Sequence, residues 1–132
     1  MEKFLTVFTP TYNRAYILPQ LYKSLCNQTC KDFTWLIIDD GSSDNTAVLI
    51  ERWIQENKID IIYRYQDNAG KMAAYNCALA ITATPLFMCI DSDDYLVEDA
   101  VDSVCKISKG VVLDCKLSGI VAYRGKKNGS VL

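Results

Sequence analysis

Short apolar runs alternate with amphipathic stretches along the chain. Phe4 to Phe8 is an apolar run of strand length, and Leu18, Leu21, Tyr22 and Leu25 then recur at helical spacing, with Pro19 in the first turn. Phe33 to Asp39 reads as a second strand, followed by a helix marked by Val48, Leu49, Trp53 and Ile54, with Ser43 or Asp44 as its N-cap. Ile59 to Tyr65 is a third strand and Lys71 to Thr82 a third helix, carrying Met72, Tyr75 and Leu79 on one face. Leu86 to Asp91 is a fourth strand, Val97 to Ser108 a fourth helix with Val101, Val104 and Cys105 inward, and Ser118 to Tyr123 a fifth strand. This order predicts an α/β fold: a mostly parallel sheet with helices on both faces.

Composition narrows the chemistry. A length of 132 residues suits a single domain, and Lys+Arg 14 against Asp+Glu 16 leaves a net charge of -2, with no basic footprint for nucleic acid. No apolar run is long enough for a transmembrane segment, and the Met-Glu-Lys-Phe start lacks the pattern of a signal peptide, so a cytoplasmic domain is expected. Histidine is absent, which removes Ser-His-Asp and Cys-His catalysis and every imidazole-ligated metal site. Six cysteines remain, without a Cys-x-x-Cys pair, and reduced thiols are expected. The chemistry must therefore run on carboxylates, amides, hydroxyls and a few cations.

The polar clusters fall at the predicted strand ends, where open parallel sheets bind ligands. Thr9-Pro10-Thr11-Tyr12-Asn13-Arg14 follows the first strand, and Asp39-Asp40-Gly41-Ser42-Ser43-Asp44 the second. Asn68-Ala69-Gly70-Lys71 follows the third, and Asp91-Ser92-Asp93-Asp94 the fourth. Gathered carboxylates repel unless a cation or hydrogen-bond donors offset them, so a cation site is expected at this edge. Asp91 and Asp93, two apart on an extended segment, would share a face and offer the hard oxygen ligands that suit Mg2+ or Mn2+. An ionised Asp in the second loop is an acceptor suited to a base N–H or to ribose hydroxyls, and Tyr12 offers a face for stacking. Lys71 at a helix start can neutralise a phosphate. Taken singly, each cluster also has an ordinary use: a capping acidic turn, a strand-to-helix turn, loop packing or a surface lysine.

In order and spacing, these four clusters resemble the family-two glycosyltransferases, enzymes of the Rossmann-like GT-A fold that use nucleotide-activated sugars. The resemblance implies that Thr9, Pro10, Thr11 and Tyr12 line the base and ribose pocket and that Asp40 accepts from the base. It places Arg14 and Lys71 near the diphosphate, Asp91 at the ribose or metal-bound phosphate, Asn68, Gly70 and Ser92 among the nucleotide-sugar-binding residues, and Asp93, with Asp91, on the metal. A UDP-sugar donor, Mn2+ or Mg2+, inversion at the anomeric carbon and a saccharide or lipid-linked acceptor are implied as well. The family's general base lies well downstream of the metal motif. The later acids Glu98, Asp99, Asp102 and Asp114 form no base motif, so the chain reads as a truncated GT-A domain over 1–132, the nucleotide-sugar-binding half, with its base beyond residue 132. A sugar-nucleotide-binding module without chemistry is the alternative.

Overall fold

Two strands take the centre of the sheet because they are apolar on both faces. The run Phe33–Asp39 is buried at every position, and Leu5–Thr11 at every position but Pro10, as expected of parallel strands covered on both sides. This computed structural model describes residues 3–111. Its elements are β1 (Leu5–Thr11), α1 (Leu18–Cys26), β2 (Phe33–Asp39), α2 (Thr46–Glu56), β3 (Asp60–Tyr65), α3 (Lys71–Ile81), β4 (Leu86–Cys89) and α4 (Ala100–Val111). The strands form one parallel sheet in the order β3-β2-β1-β4. The expected strand over Ser118 to Tyr123 lies outside the described residues.

Strand alternation divides the core in two. Leu5, Val7, Phe33, Trp35 and Ile37 face one side, where α1, α2 and α4 supply Leu18, Leu21, Leu25, Ile50, Trp53, Val101 and Cys105. Phe8, Leu36 and Ile38 face the other, covered by Ala74 and Ala78 of α3. On the first side Tyr22 stacks on Trp53 at 4.2 Å between ring centroids, and Trp53 on Trp35 at 5.8 Å. Burial and the hydrogen bond from its hydroxyl to Glu56 push the Tyr22 phenol up, so it stays protonated. The amide of Gln28, itself buried, ties the end of α1 to the start of α4 by donating to the Val97 carbonyl and accepting from the Val101 N–H.

Several expectations are corrected by the structure. β1 runs past Phe8 to Thr11, because Thr9, Pro10 and Thr11 pair with Ile37, Ile38 and Asp39. β4 stops at Cys89 rather than reaching Asp91. The N-cap of α2 is Asn45, whose side chain makes no capping bond, while Asp44 accepts from the Thr46 N–H and hydroxyl; Val48 is exposed and Ile50 is the buried position. In α3 only part of the expected apolar face is inward: Tyr75 packs on Phe8, but Met72 and Leu79 are exposed, and the buried stripe is Ala74 and Ala78. Small residues let the helix lie close on Phe8 and Leu36, and a hydropathy pattern that weighs size misses them. α4 also begins later than Val97, with Val101 and Cys105 buried as expected and Val104 only half-buried.

Enlarging the alanine stripe should therefore cost more than trimming the leucine. Ala78→Leu is expected to lower unfolding free energy by about 1–3 kcal/mol through overpacking, and Leu79→Ala by about 0.5 kcal/mol. Urea denaturation of the two variants checks the ranking.

Candidate functional site

Four loops meet at the carboxyl edge of the sheet, and hydrogen bonds interlock them in pairs. After β1 the chain turns through Asn13, a non-glycine residue at φ 52, a conformation that asparagine tolerates better than most. Its side-chain oxygen accepts from the Ser43 and Asp44 N–H groups at 2.8 and 3.2 Å, and its own N–H donates to Ser42 Oγ at 2.8 Å. The Ala15 N–H closes the clasp on Asp44 Oδ2 at 3.2 Å. The loop after β1 and the loop into α2 therefore move as one body.

Asp39 and Asp40 leave β2 in opposite directions. Asp39, fully buried, accepts from Tyr63 Oη at 2.6 Å and from the Ser42 N–H at 2.9 Å. Burial, followed by that contact, raises the Tyr63 phenol. Asp40 turns to the α3 side, where Oδ1 accepts from Gln66 Nε2 at 2.8 Å and the Ala69 N–H at 2.9 Å, and Oδ2 from the Gly70 N–H at 2.9 Å. Its backbone carbonyl accepts from Asn68 Nδ2 at 3.0 Å. Burial pushes the Asp40 carboxyl up, but the donors from Gln66, Ala69 and Gly70 outweigh it and hold the group below its ordinary range. Gly41, at φ +86, allows this close approach: a Cβ there would stand 2.9 Å from the Asn68 backbone nitrogen.

The fourth loop carries the acidic cluster. Pro10 directs its backbone nitrogen towards β4 and has no N–H to give; the ladder ends with the Ile90 N–H on the Phe8 carbonyl. The chain then leaves the sheet in a turn closed by the Asp94 N–H on the Asp91 carbonyl at 3.0 Å. Asp91 and Asp93 thus meet through a turn and not along an extended strand, and Asp94 joins them: carboxylate oxygens of all three lie within 4.8 Å of one another. Lys71, the first residue of α3, donates to Asp91 Oδ1 at 3.0 Å. This hydrogen bond, reinforced by charge attraction, raises the Lys71 ammonium. An all-oxygen carboxylate set beside a single ammonium fits Mg2+ or Mn2+.

The other expected site residues are distributed unevenly. Tyr12 stands at the rim, 50% exposed, free to stack, and Ser92 is buried within the acidic turn. Thr11 is buried at the end of β1, level with Asp39, and its hydroxyl has no hydrogen-bond partner. Thr9 belongs to the core: it is fully buried and its hydroxyl accepts the Trp35 indole N–H at 2.9 Å. Arg14 donates to the Tyr16 hydroxyl at 2.7 Å, while its carbonyl accepts from Ile17 and Leu18 at the start of α1. Sequence reasoning missed Asn13, Gln66 and Asp94 as working parts. A lone Asn after a strand, ahead of a Ser-Ser-Asp loop, is the readable signal for the first; nothing local marks Gln66.

A Rossmann-like parallel sheet with an acidic turn and a lysine at its carboxyl edge is the class that fold and site define. The chain belongs to glycosyl transferase family 2, whose family model matches residues 6–113. It is 31% identical over 102 residues to the glycosyltransferase GlyA of Streptococcus pneumoniae, covering 77% of this chain and 14% of that protein. Among solved structures, S. aureus TarS 1-349 in complex with UDP superposes with a TM-score of 0.75 at 25% identity, covering 81% of this chain and 32% of that one. The mannosyltransferase PcManGT from Pyrobaculum calidifontis, in complex with GDP-Man and Mn2+, shares the fold at a TM-score of 0.71 and 22% identity, over 84% of this chain and 33% of that one. The chain thus spans about a third or less of the length of these relatives.

Two outcomes follow from the interlocked loops. Gly41→Ala is expected to destabilise the fold by about 1–3 kcal/mol, from positive φ and the contact with Asn68, measurable by denaturant titration. Because the folded-state pKa of Asp40 is depressed, its contribution is complete above the unfolded value near pH 4 and is lost as pH falls through the folded one. The stability gap between the parent chain and Asp40→Asn should therefore be constant near neutrality and narrow below about pH 4, as followed by thermal melts across pH.

Proposed function

We propose that residues 1–132 form the donor-binding half of an inverting glycosyltransferase that takes a UDP-sugar with Mn2+ or Mg2+ and serves a saccharide or lipid-linked acceptor. The observation that carries this reading is the convergence of Asp91, Asp93 and Asp94 beside Lys71, at the edge where Tyr12 stands open to a ligand. The likeness to TarS in complex with UDP supports the choice of nucleotide. Tyr12 would stack on the base, with Thr11 behind it in the wall of the pocket at the end of β1. Asp40 has three donors on its two oxygens, so one acceptor position remains for a base N–H.

Asp93 and Asp91, with Asp94, would hold the cation; when bound it stabilises charge developing on the leaving diphosphate. Lys71 would move from Asp91 to a phosphate oxygen, adding a second positive charge at the bond that breaks. Arg14 can turn from Tyr16 towards the same diphosphate. Acceptor activation needs a general base. Among the described residues after Asp94 the carboxylates are Glu98, Asp99 and Asp102, at the start of α4, with Asp102 paired to Lys106 at 2.9 Å. None stands in the acidic turn, so this chain is expected to bind donor without acceptor-dependent transfer. A cytoplasmic setting belongs to the same reading and suits the free thiols of Cys26, Cys30, Cys77 and Cys89. No helix among the described residues is long and apolar enough to cross a membrane.

With Mn2+, UDP at a hundredfold excess over its Kd should stabilise the chain by about 2.7 kcal/mol, and the same UDP concentration with chelator should stabilise it less. Asp93→Asn should remove the metal dependence and leave the unliganded melting temperature within a few degrees. Equal UDP affinity by calorimetry under both conditions would overturn the metal assignment. Acceptor-dependent UDP release at ordinary enzyme rates would show that a base lies within these residues.

A further inference from the structure

We infer that Asp40 is a positioning residue for the cation at the phosphate end of the site, acting through the turn between β3 and α3 independently of any base. The ligand arm of this inference rests on the donor-binding reading above.

The geometry is specific. Gly70 caps α3 at φ 96 and ψ 167 with no side chain of its own, so the helix start has no internal anchor. Asp40 supplies one from outside, taking the N–H groups of both Ala69 and Gly70. Its charge lies against the positive end of α3, where a carboxylate is favoured. Gln66 Nε2 on the same carboxylate, Asn68 Nδ2 on the Asp40 carbonyl and the Gln66 N–H on the Asp39 carbonyl fasten the remainder of the turn. Lys71 is the next residue, and its ammonium reaches Asp91 from this fixed start. Lys71 is itself well exposed, and its ammonium is held by the hydrogen-bonded ion pair with Asp91 alone among the described hydrogen bonds and ion pairs. What aims Lys71 is therefore the backbone that Asp40 holds. A group that read only the base would not need three donors from a neighbouring turn.

The test separates aiming from base reading. Asp40→Asn keeps the volume and removes the charge. The reaction rate of each lysine with an amine-specific reagent, followed by mass spectrometry with Lys23 as internal reference, reports the Lys71–Asp91 pair without any ligand. Asp91→Asn sets the rate for a released Lys71. In Asp40→Asn the Lys71 rate should rise most of the way to that limit while Lys23 is unchanged, a selectivity that general loosening would not give. In the presence of Mn2+, affinity for UDP and for inorganic pyrophosphate should fall by a similar factor, about tenfold each for a lost charge-assisted hydrogen bond. An unchanged Lys71 rate, with UDP weakened and pyrophosphate untouched, would overturn the inference and leave Asp40 as a base reader alone. If neither ligand binds the parent chain, the donor-binding reading fails by itself and the labelling still decides the positioning role. Should Asp40→Asn not fold, Gln66→Leu removes one donor from the same carboxylate; it should raise the Lys71 rate partway, and no rise would count against the inference.

Discussion

A carboxylate withdrawn from water must be met by donors, and at the end of β2 that requirement falls on two adjacent residues. Strand geometry sends neighbouring side chains to opposite faces, so one set of donors cannot satisfy both Asp39 and Asp40. Asp39 is met by Tyr63 and the Ser42 N–H, which fixes the entry to α2. Asp40 is met by Gln66, Ala69 and Gly70, which fixes the entry to α3. The carboxyl edge of the sheet is thus built outward from two buried anions. The loops into α2 and α3 are ordered by charge-assisted bonds to this central strand.

This division explains which features the sequence disclosed. The βα alternation, the central strands and the inward residues of α1 are dictated by apolar runs and helical spacing, and all were legible. The four polar clusters were legible because they interrupt that pattern at strand ends. What escaped was tertiary. The buried face of α3 is Ala74 and Ala78, chosen by closeness to Phe8 rather than by hydropathy. Thr9 has the composition of a binding loop, yet the indole of Trp35 claims its hydroxyl. Gln66 is an unremarkable polar residue after a strand until the Asp40 carboxylate is seen beside it. In each case the deciding partner is far along the chain, and no local pattern can announce it.

Pro10 shows the same principle in the backbone. In sequence it is a turn former beside a tyrosine; in the fold it is the position at which β1 stops offering hydrogen bonds to β4. The acidic turn begins where that N–H is missing. A residue with an amide at this position could extend the β1–β4 ladder by a residue and draw Asp91 towards the sheet, away from Asp93 and Asp94.

The connectivity of the sheet also sets an order of assembly. β1 finds β2, and β2 finds β3, across a single intervening helix each, whereas Leu5 meets Leu86 only after most of the chain has been laid down. Loop closure on that scale must precede any reward from the contact, so β4 joins a platform already formed. It is also short, half-buried and, among the described strands, at the edge. Local opening is cheapest for such elements. The loops after β1, β2 and β3 and the acidic turn after β4 thus stand on segments of unequal local stability. The loops clasped around the ends of the first three strands can persist through fluctuations that carry the carboxylate cluster away.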